Sequence, residues 1–158
     1  MKIRKGFVSN SSSSSFLVAF PRNPKTLEEL QKMVFGDDET FAHPYGDMDF
    51  YPDSYPAEHI ASLIFKDIVK QIPNNKNIIL SRMHNVLIDD IDWNDDIDWE
   101  EYAHNNKLEV LKFMEDHQGS FFYCFEYHDD SGEPEGCGCA MEHGDLFHRL
   151  PHLRSSNH

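Results

Sequence analysis

Three observations predict an α+β fold for this chain. Strand-like segments stand towards both ends and amphipathic helical segments fill the middle. Aromatic residues make up 13% of the sequence, with twelve Phe, six Tyr and two Trp, enough apolar anchors for a core. The 158 residues suit one globular domain over 1–158, which at this size buries roughly 70% of its unfolded surface. The expected architecture is an N-terminal strand pair and a C-terminal β-hairpin packed with two to four helices.

The elements follow in chain order. Lys2–Val8 and Ser14–Phe20 read as strands flanking the polar run Ser9–Ser15, and Pro21 and Pro24 close that unit. Thr26-x-x-Glu29 is a capping box that opens a short helix to about Val34, stopped by Gly36. Residues 37–56, rich in Asp, Tyr, Pro and Gly without periodicity, read as a surface loop. Pro56 opens a clearer helix with Ile60, Leu63, Ile64, Ile68 and Ile72 at helical spacing, ended by Pro73. Asn77–Ser81 is apolar and does not declare its type. Leu108, Leu111 and either Val110 or Met114 give another helix, ending near Gly119. Phe121–His128 and Gly136–His143 flank an acidic turn and read as the hairpin, and 145–158, broken by Pro151, reads as an irregular tail.

The charge is −14, from 28 acids against 14 bases. Such a balance repels nucleic acid and anionic membrane surfaces, so no direct nucleic-acid or membrane binding is expected. Cationic partners are favoured: metal ions, or basic proteins that themselves bind nucleic acid. Three cysteines, an odd number without an extracellular spacing pattern, indicate a reducing compartment. No apolar run approaches the ~20 residues of a membrane span, and no signal-peptide core follows the basic start. A cytoplasmic location is expected.

The start, Gly6-Phe-Val-Ser-Asn-Ser-Ser-Ser-Ser-Ser-Phe16, resembles the leader of a scattered group of uncharacterised bacteriophage and bacterial proteins. The resemblance covers about a tenth of the chain and implies phage origin without implying an activity.

Three segments carry candidate chemistry. Residues 88–99 write one six-residue unit almost twice, Ile-Asp-Asp-Ile-Asp-Trp and Asn-Asp-Asp-Ile-Asp-Trp, and Asp89–Glu101 holds eight acids and no base. As a helix it would carry about one charge per 2.5 Å, close to the ~1.7 Å spacing of B-DNA. Mimicry of DNA in a basic groove would then use Asp89, Asp90, Asp92, Trp93, Asp95, Asp96, Asp98 and Trp99. In an extended form Asp90, Asp92, Asn94, Asp96 and Asp98 take one face while Ile91, Trp93, Ile97 and Trp99 pack on the other. Alternatively Asp90, Asp92, Asn94, Asp96, Asp98 and Glu101 follow the spacing of a calcium loop, although Asp95 stands where the turn glycine belongs. A third reading is a solvated acidic face whose tryptophans serve the core.

The second segment, Cys137–His158, gathers two thiols, four histidines, Glu142 and Asp145. Cys137, Cys139, His143, His148 and His152 are the side-chain types that hold zinc or another divalent transition metal. On a strand, Cys137, Cys139 and His143 share a face. A set drawn from His143, Asp145, His152 and His158, with Arg154 as anion clamp, would serve metal-assisted or acid–base hydrolysis of a phosphoester. The plain alternative is a histidine-rich surface tail with buried cysteines. The third segment, Ser9, Asn10, Ser11, Ser12 and Ser13, would cradle a phosphate in a backbone nest, or simply satisfy its own backbone in a turn; it lacks the glycines and lysine of a Walker loop.

Two functions compete on this sequence. The leading one is an acidic interaction protein, phage-encoded and not an enzyme, that binds a basic nucleic-acid-binding host protein as a DNA mimic or inhibitor. The other is a hydrolase or phosphodiesterase built on the C-terminal His/Asp cluster.

Overall fold

Ser13–Phe20 (β1) lies at the centre of the molecule. The computed structural model describes residues 13–46, 51–93, 96–129 and 137–156. Strand β1 pairs antiparallel with Phe121–His128 (β4) on one side and with His152–Ser156 (β5) on the other. Thr40–Ala42 (β2) and Ser54–Pro56 (β3) form a separate two-stranded ribbon. Five α-helices complete the described residues: Leu27–Phe35 (α1), Ala57–Val69 (α2), Lys76–Arg82 (α3), Trp99–Asp116 (α4) and Cys137–His143 (α5), with a 3₁₀ turn at Ile88–Asp90.

The near-continuous apolar run of β1 follows from burial of both its faces. Phe16, Val18 and Phe20 face a larger core shared with α1, α2, the β2–β3 ribbon and α5. Leu17 and Ala19 face a smaller core built by α3, α4, Phe122 and Cys124. The α+β class is therefore realised as three layers, with the three-stranded sheet between two sets of helices.

Local signals account for the helix ends. Thr26 Oγ1 accepts the Glu29 N–H at 3.2 Å, as its capping box requires, and Gly36 ends α1 at φ +60°, a conformation that favours glycine. A Cβ at Gly36 would also sit 3.0 Å from the Arg149 guanidinium, which pairs with Asp38. Helix α2 stops at Val69, so Ile72 falls beyond it and is 78% exposed. The undeclared segment 77–81 is helical within α3, and the 108–114 helix is the second half of a longer α4.

The outer edge of β4 is closed by side chains. Gln71 Nε2 donates to the Cys124 carbonyl at 2.7 Å and its Oε1 accepts the Cys124 N–H at 3.1 Å. Asn74 accepts the Phe122 N–H at 2.6 Å and donates its own N–H to the Phe122 carbonyl at 3.0 Å. The loop after α2 thus imitates a fourth strand and blocks edge-to-edge pairing.

The C-terminal hairpin is corrected: β4 takes β1 as its partner, and residues 137–143 are a helix. The segment Cys-Gly-Cys-Ala-Met-Glu-His lacks β-branched residues, while Ala, Met and Glu favour helix. The tail is corrected as well. Residues 152–156 form an edge strand whose register pairs Phe16 with Arg154, so the end of the serine run and the C-terminal segment do meet. The Lys2–Val8 strand lies outside the described residues.

Candidate functional site

Every described acid of the run is exposed: Asp89, Asp90, Asp92, Asp96, Asp98, Glu100 and Glu101. Neither expected backbone form spans the segment. The 3₁₀ turn at Ile88–Asp90 is followed by residues 91–93 and 96–98, none of them in a helix or strand, and α4 begins at Trp99. Asp98 is the N-cap of that helix, and its Oδ1 accepts the N–H groups of Glu100 and Glu101, each at 3.1 Å. The acids proposed for calcium are not gathered among the described residues, and Asn94 and Asp95 lie outside them.

The tryptophans depart from expectation. Trp93 is 63% exposed and Trp99 54%, so neither serves the core. They pack on each other with ring centroids 6.1 Å apart, and Trp99 meets Tyr102 edge-on at 5.7 Å. Beneath them the segment is anchored by Asn106, buried in the middle of α4. Its Nδ2 donates to the Met83 carbonyl at 2.6 Å and its Oδ1 accepts the Leu87 N–H at 3.1 Å. The result is a small exposed aromatic platform within a run of exposed acids.

The C-terminal cluster resolves differently from its sequence reading. On α5, Cys139 and His143 are four residues apart and share a helix face, whereas Cys137 turns into the larger core. Asp129, one residue past β4, joins the first two. Ligand-type atoms of Asp129, Cys139 and His143 all lie within 4.8 Å of one another, the one such group of three or more His, Cys, Asp or Glu side chains among the described residues.

This corner is largely shielded. Cys139 is 6% exposed, and burial pushes its thiol up while the Tyr51 hydroxyl, donating to the sulfur, opposes that shift. Burial and that same contact push Tyr51 up to about 12. Burial holds the His143 imidazole below its ordinary value, against the pull of Asp129. Thiol and imidazole are thus both favoured in their neutral forms. Aromatic rings wall it: Tyr45 meets His143 edge-on at 5.6 Å and His43 stacks on Tyr51 at 4.2 Å.

The other C-terminal candidates go elsewhere. His148 Nδ1 lies 3.0 Å from the Asp145 carbonyl, and His152 Nδ1 lies 2.9 Å from the Leu150 carbonyl. The hydrolytic set His143, Asp145 and His152 is therefore not assembled, and His158 lies outside the described residues. Arg154 donates to Ser14 Oγ at 2.9 Å and to the Glu142 carbonyl at 2.8 Å, tying β5 to β1 and α5 instead of clamping an anion. In the serine run, Ser13 belongs to β1 rather than a loop, while Ser9, Asn10, Ser11 and Ser12 lie outside the described residues.

Sequence reasoning missed Asp129, Tyr45 and Tyr51. The Cys-x-x-x-His spacing was the available signal, and it speaks only once the segment is read as a helix. The chain has no significant match among protein-family models, curated proteins or solved structures.

Proposed function

We propose that this is an interaction protein whose 88–102 surface binds a cationic partner, with a basic nucleic-acid-binding protein as the best-fitting class. The observation that carries the reading is the exposed Trp93–Trp99 pair, with centroids 6.1 Å apart, set within a run of exposed acids. Aromatic faces attract Lys and Arg, by about 0.5–1 kcal/mol at exposed sites and more once desolvated. Surrounding carboxylates steer a basic surface towards them over a Debye length of about 8 Å. Tryptophans held outside the core are also the side chains that dominate interface energy. The leader's resemblance to phage proteins would place the partner in the cytoplasm of a bacterial host. Among the described residues, no helix is long and apolar enough to cross a membrane.

Both tryptophans of the chain lie in this patch, so intrinsic fluorescence reports on it directly. Titration with an arginine-rich peptide, and with a basic DNA-binding protein, is expected to quench or shift the emission at low salt. The response should fade at high salt and disappear when Asp90, Asp92, Asp96 and Asp98 are changed to Asn. Asparagine also caps helices well, so Asp98→Asn removes charge while keeping the start of α4. Binding that survives both the substitutions and high salt would overturn the reading.

A further inference from the structure

We propose that Asp129, Cys139 and His143 form a binding site for one zinc-class divalent ion. Three different ligand types converge there from two elements, and their ligand-type atoms lie within 4.8 Å of one another. A mixed sulfur, nitrogen and oxygen set is the donor chemistry that zinc accepts and that calcium and magnesium do not. The ligand atoms of a tetrahedral zinc lie roughly 3.5 Å apart, given bonds of about 2.0–2.3 Å. The trio therefore has to draw in by no more than about 1.3 Å, within reach of rotamer adjustment.

The surroundings are built as metal sites are. Cys139 and His143 stand one turn apart on α5, the spacing by which a single helix offers two ligands to one ion. Glu142 is fully buried, and its Oε2 lies 3.4 Å from His143 Nε2. A carboxylate beside a ligating imidazole fixes its tautomer and orientation. Arg154 holds the Glu142 carbonyl at 2.8 Å, which secures the end of the helix. Asp129 is exposed, and the described residues supply three protein ligands, one fewer than a tetrahedral ion takes.

The site is independent of the acidic patch, but a chain of charge −14 attracts divalent ions at many carboxylates. The test therefore needs a readout specific for sulfur. Cobalt(II) is added to the whole reduced chain while the thiolate-to-cobalt charge-transfer absorption is followed, then zinc is added in competition. One cobalt per chain is expected, with the charge-transfer band, displaced by zinc. Cys139→Ser should abolish the band, and His143→Gln and Asp129→Asn should each weaken binding more than about tenfold, with Glu142→Gln about tenfold weaker. Cys137→Ala, His148→Ala and His152→Ala should retain it. No band with the unmodified chain overturns the proposal without recourse to any variant. So does a band that persists in Cys139→Ser, or an affinity that Asp129→Asn leaves unchanged in a variant with native circular dichroism.

Discussion

The acidic segment at 88–102 and the corner around α5 both gather ionisable side chains, in opposite settings. In the first, consecutive residues supply the chemistry and all its described acids are exposed. In the second, the groups come from Tyr51, Asp129, Cys139 and His143, and the thiol is almost wholly covered. An exposed run of like charge acts through its field and needs a partner to give it effect. A convergence of different ligand types around a covered thiol holds its groups at short range, and so suits something small. The contrast separates the proposed interaction surface from the proposed ligand site within one small domain.

The largest expected effect tests how tightly the corner is packed. A Cβ at Gly144 would lie 2.5 Å from the Ala140 carbonyl oxygen and 2.7 Å from Phe41 Cζ, so backbone and a core ring would both have to shift. Gly144→Ala should cost about 1–3 kcal/mol, typical of overpacking, and lower Tm by roughly 2–4 °C per kcal/mol. Calorimetry measures it, and tryptophan emission should stay native. An unchanged Tm would mean that the corner is looser than its contacts indicate.

A smaller loss is expected beneath the patch. Asn106→Ala removes partners from the Met83 carbonyl and the Leu87 N–H, both held now at 2.6 and 3.1 Å. Leaving such groups unpaired costs about 1–2 kcal/mol. The 88–93 segment should loosen with it, seen as faster amide exchange there than around α5. Equal exchange in both regions would remove Asn106 as the anchor of the surface.

The patch itself should tolerate change. Trp93→Ala is expected to alter stability by no more than about 0.5 kcal/mol, as for a surface position, while reducing the response to an arginine-rich peptide. A large loss of stability would return Trp93 to the core role that its 63% exposure excludes.

These two regions also mark how far the sequence could be read. The α+β class, the Thr26 cap, α2 and the strands at 13–20 and 121–128 follow from local rules: capping chemistry, period and β-propensity. The helix at 137–143 was hidden because a glycine and two cysteines mask its propensity, and because an acidic turn before it imitates a hairpin. Reading it as a strand put Cys137, Cys139 and His143 on one face but spread Cys139 and His143 roughly 13 Å apart, where a helix brings that i, i+4 pair together. Asp129 was legible only as part of a turn, since nothing local announces what a residue meets ten positions later. The repeat at 88–99 was conspicuous, yet its periodicity could not tell a packed tryptophan from an exposed one. That depends on long-range anchoring such as Asn106 gives the segment through the Met83 carbonyl and the Leu87 N–H, which no local pattern announces.

Asp67 sharpens the contrast from the other side, as an acid that is only half covered. Its carboxyl lies on α2 and accepts the Tyr127 hydroxyl at 3.3 Å. Burial raises its pKa above the ordinary 3.8, outweighing the Tyr127 hydrogen bond and the attraction of Lys70 and Arg82. The folded chain therefore holds this proton more tightly than the unfolded chain. Its contribution to stability is full below the ordinary value, declines as pH rises through the raised one, and is a constant deficit at pH 7. Asp67→Asn keeps an acceptor for Tyr127 and removes the charge. It should raise stability at pH 7 by about 0.5 kcal/mol, the low figure reflecting solvent screening of a half-covered group, with a Tm gain of about 1–2 °C. The gain should vanish near pH 3, where the native side chain is protonated as well. Denaturant titrations at the two pH values decide it. A gain that persists in acid, or a loss at neutral pH, would show that Lys70 and Arg82 stabilise the charge, and Asp67 would then behave like the exposed acids of the 88–102 surface.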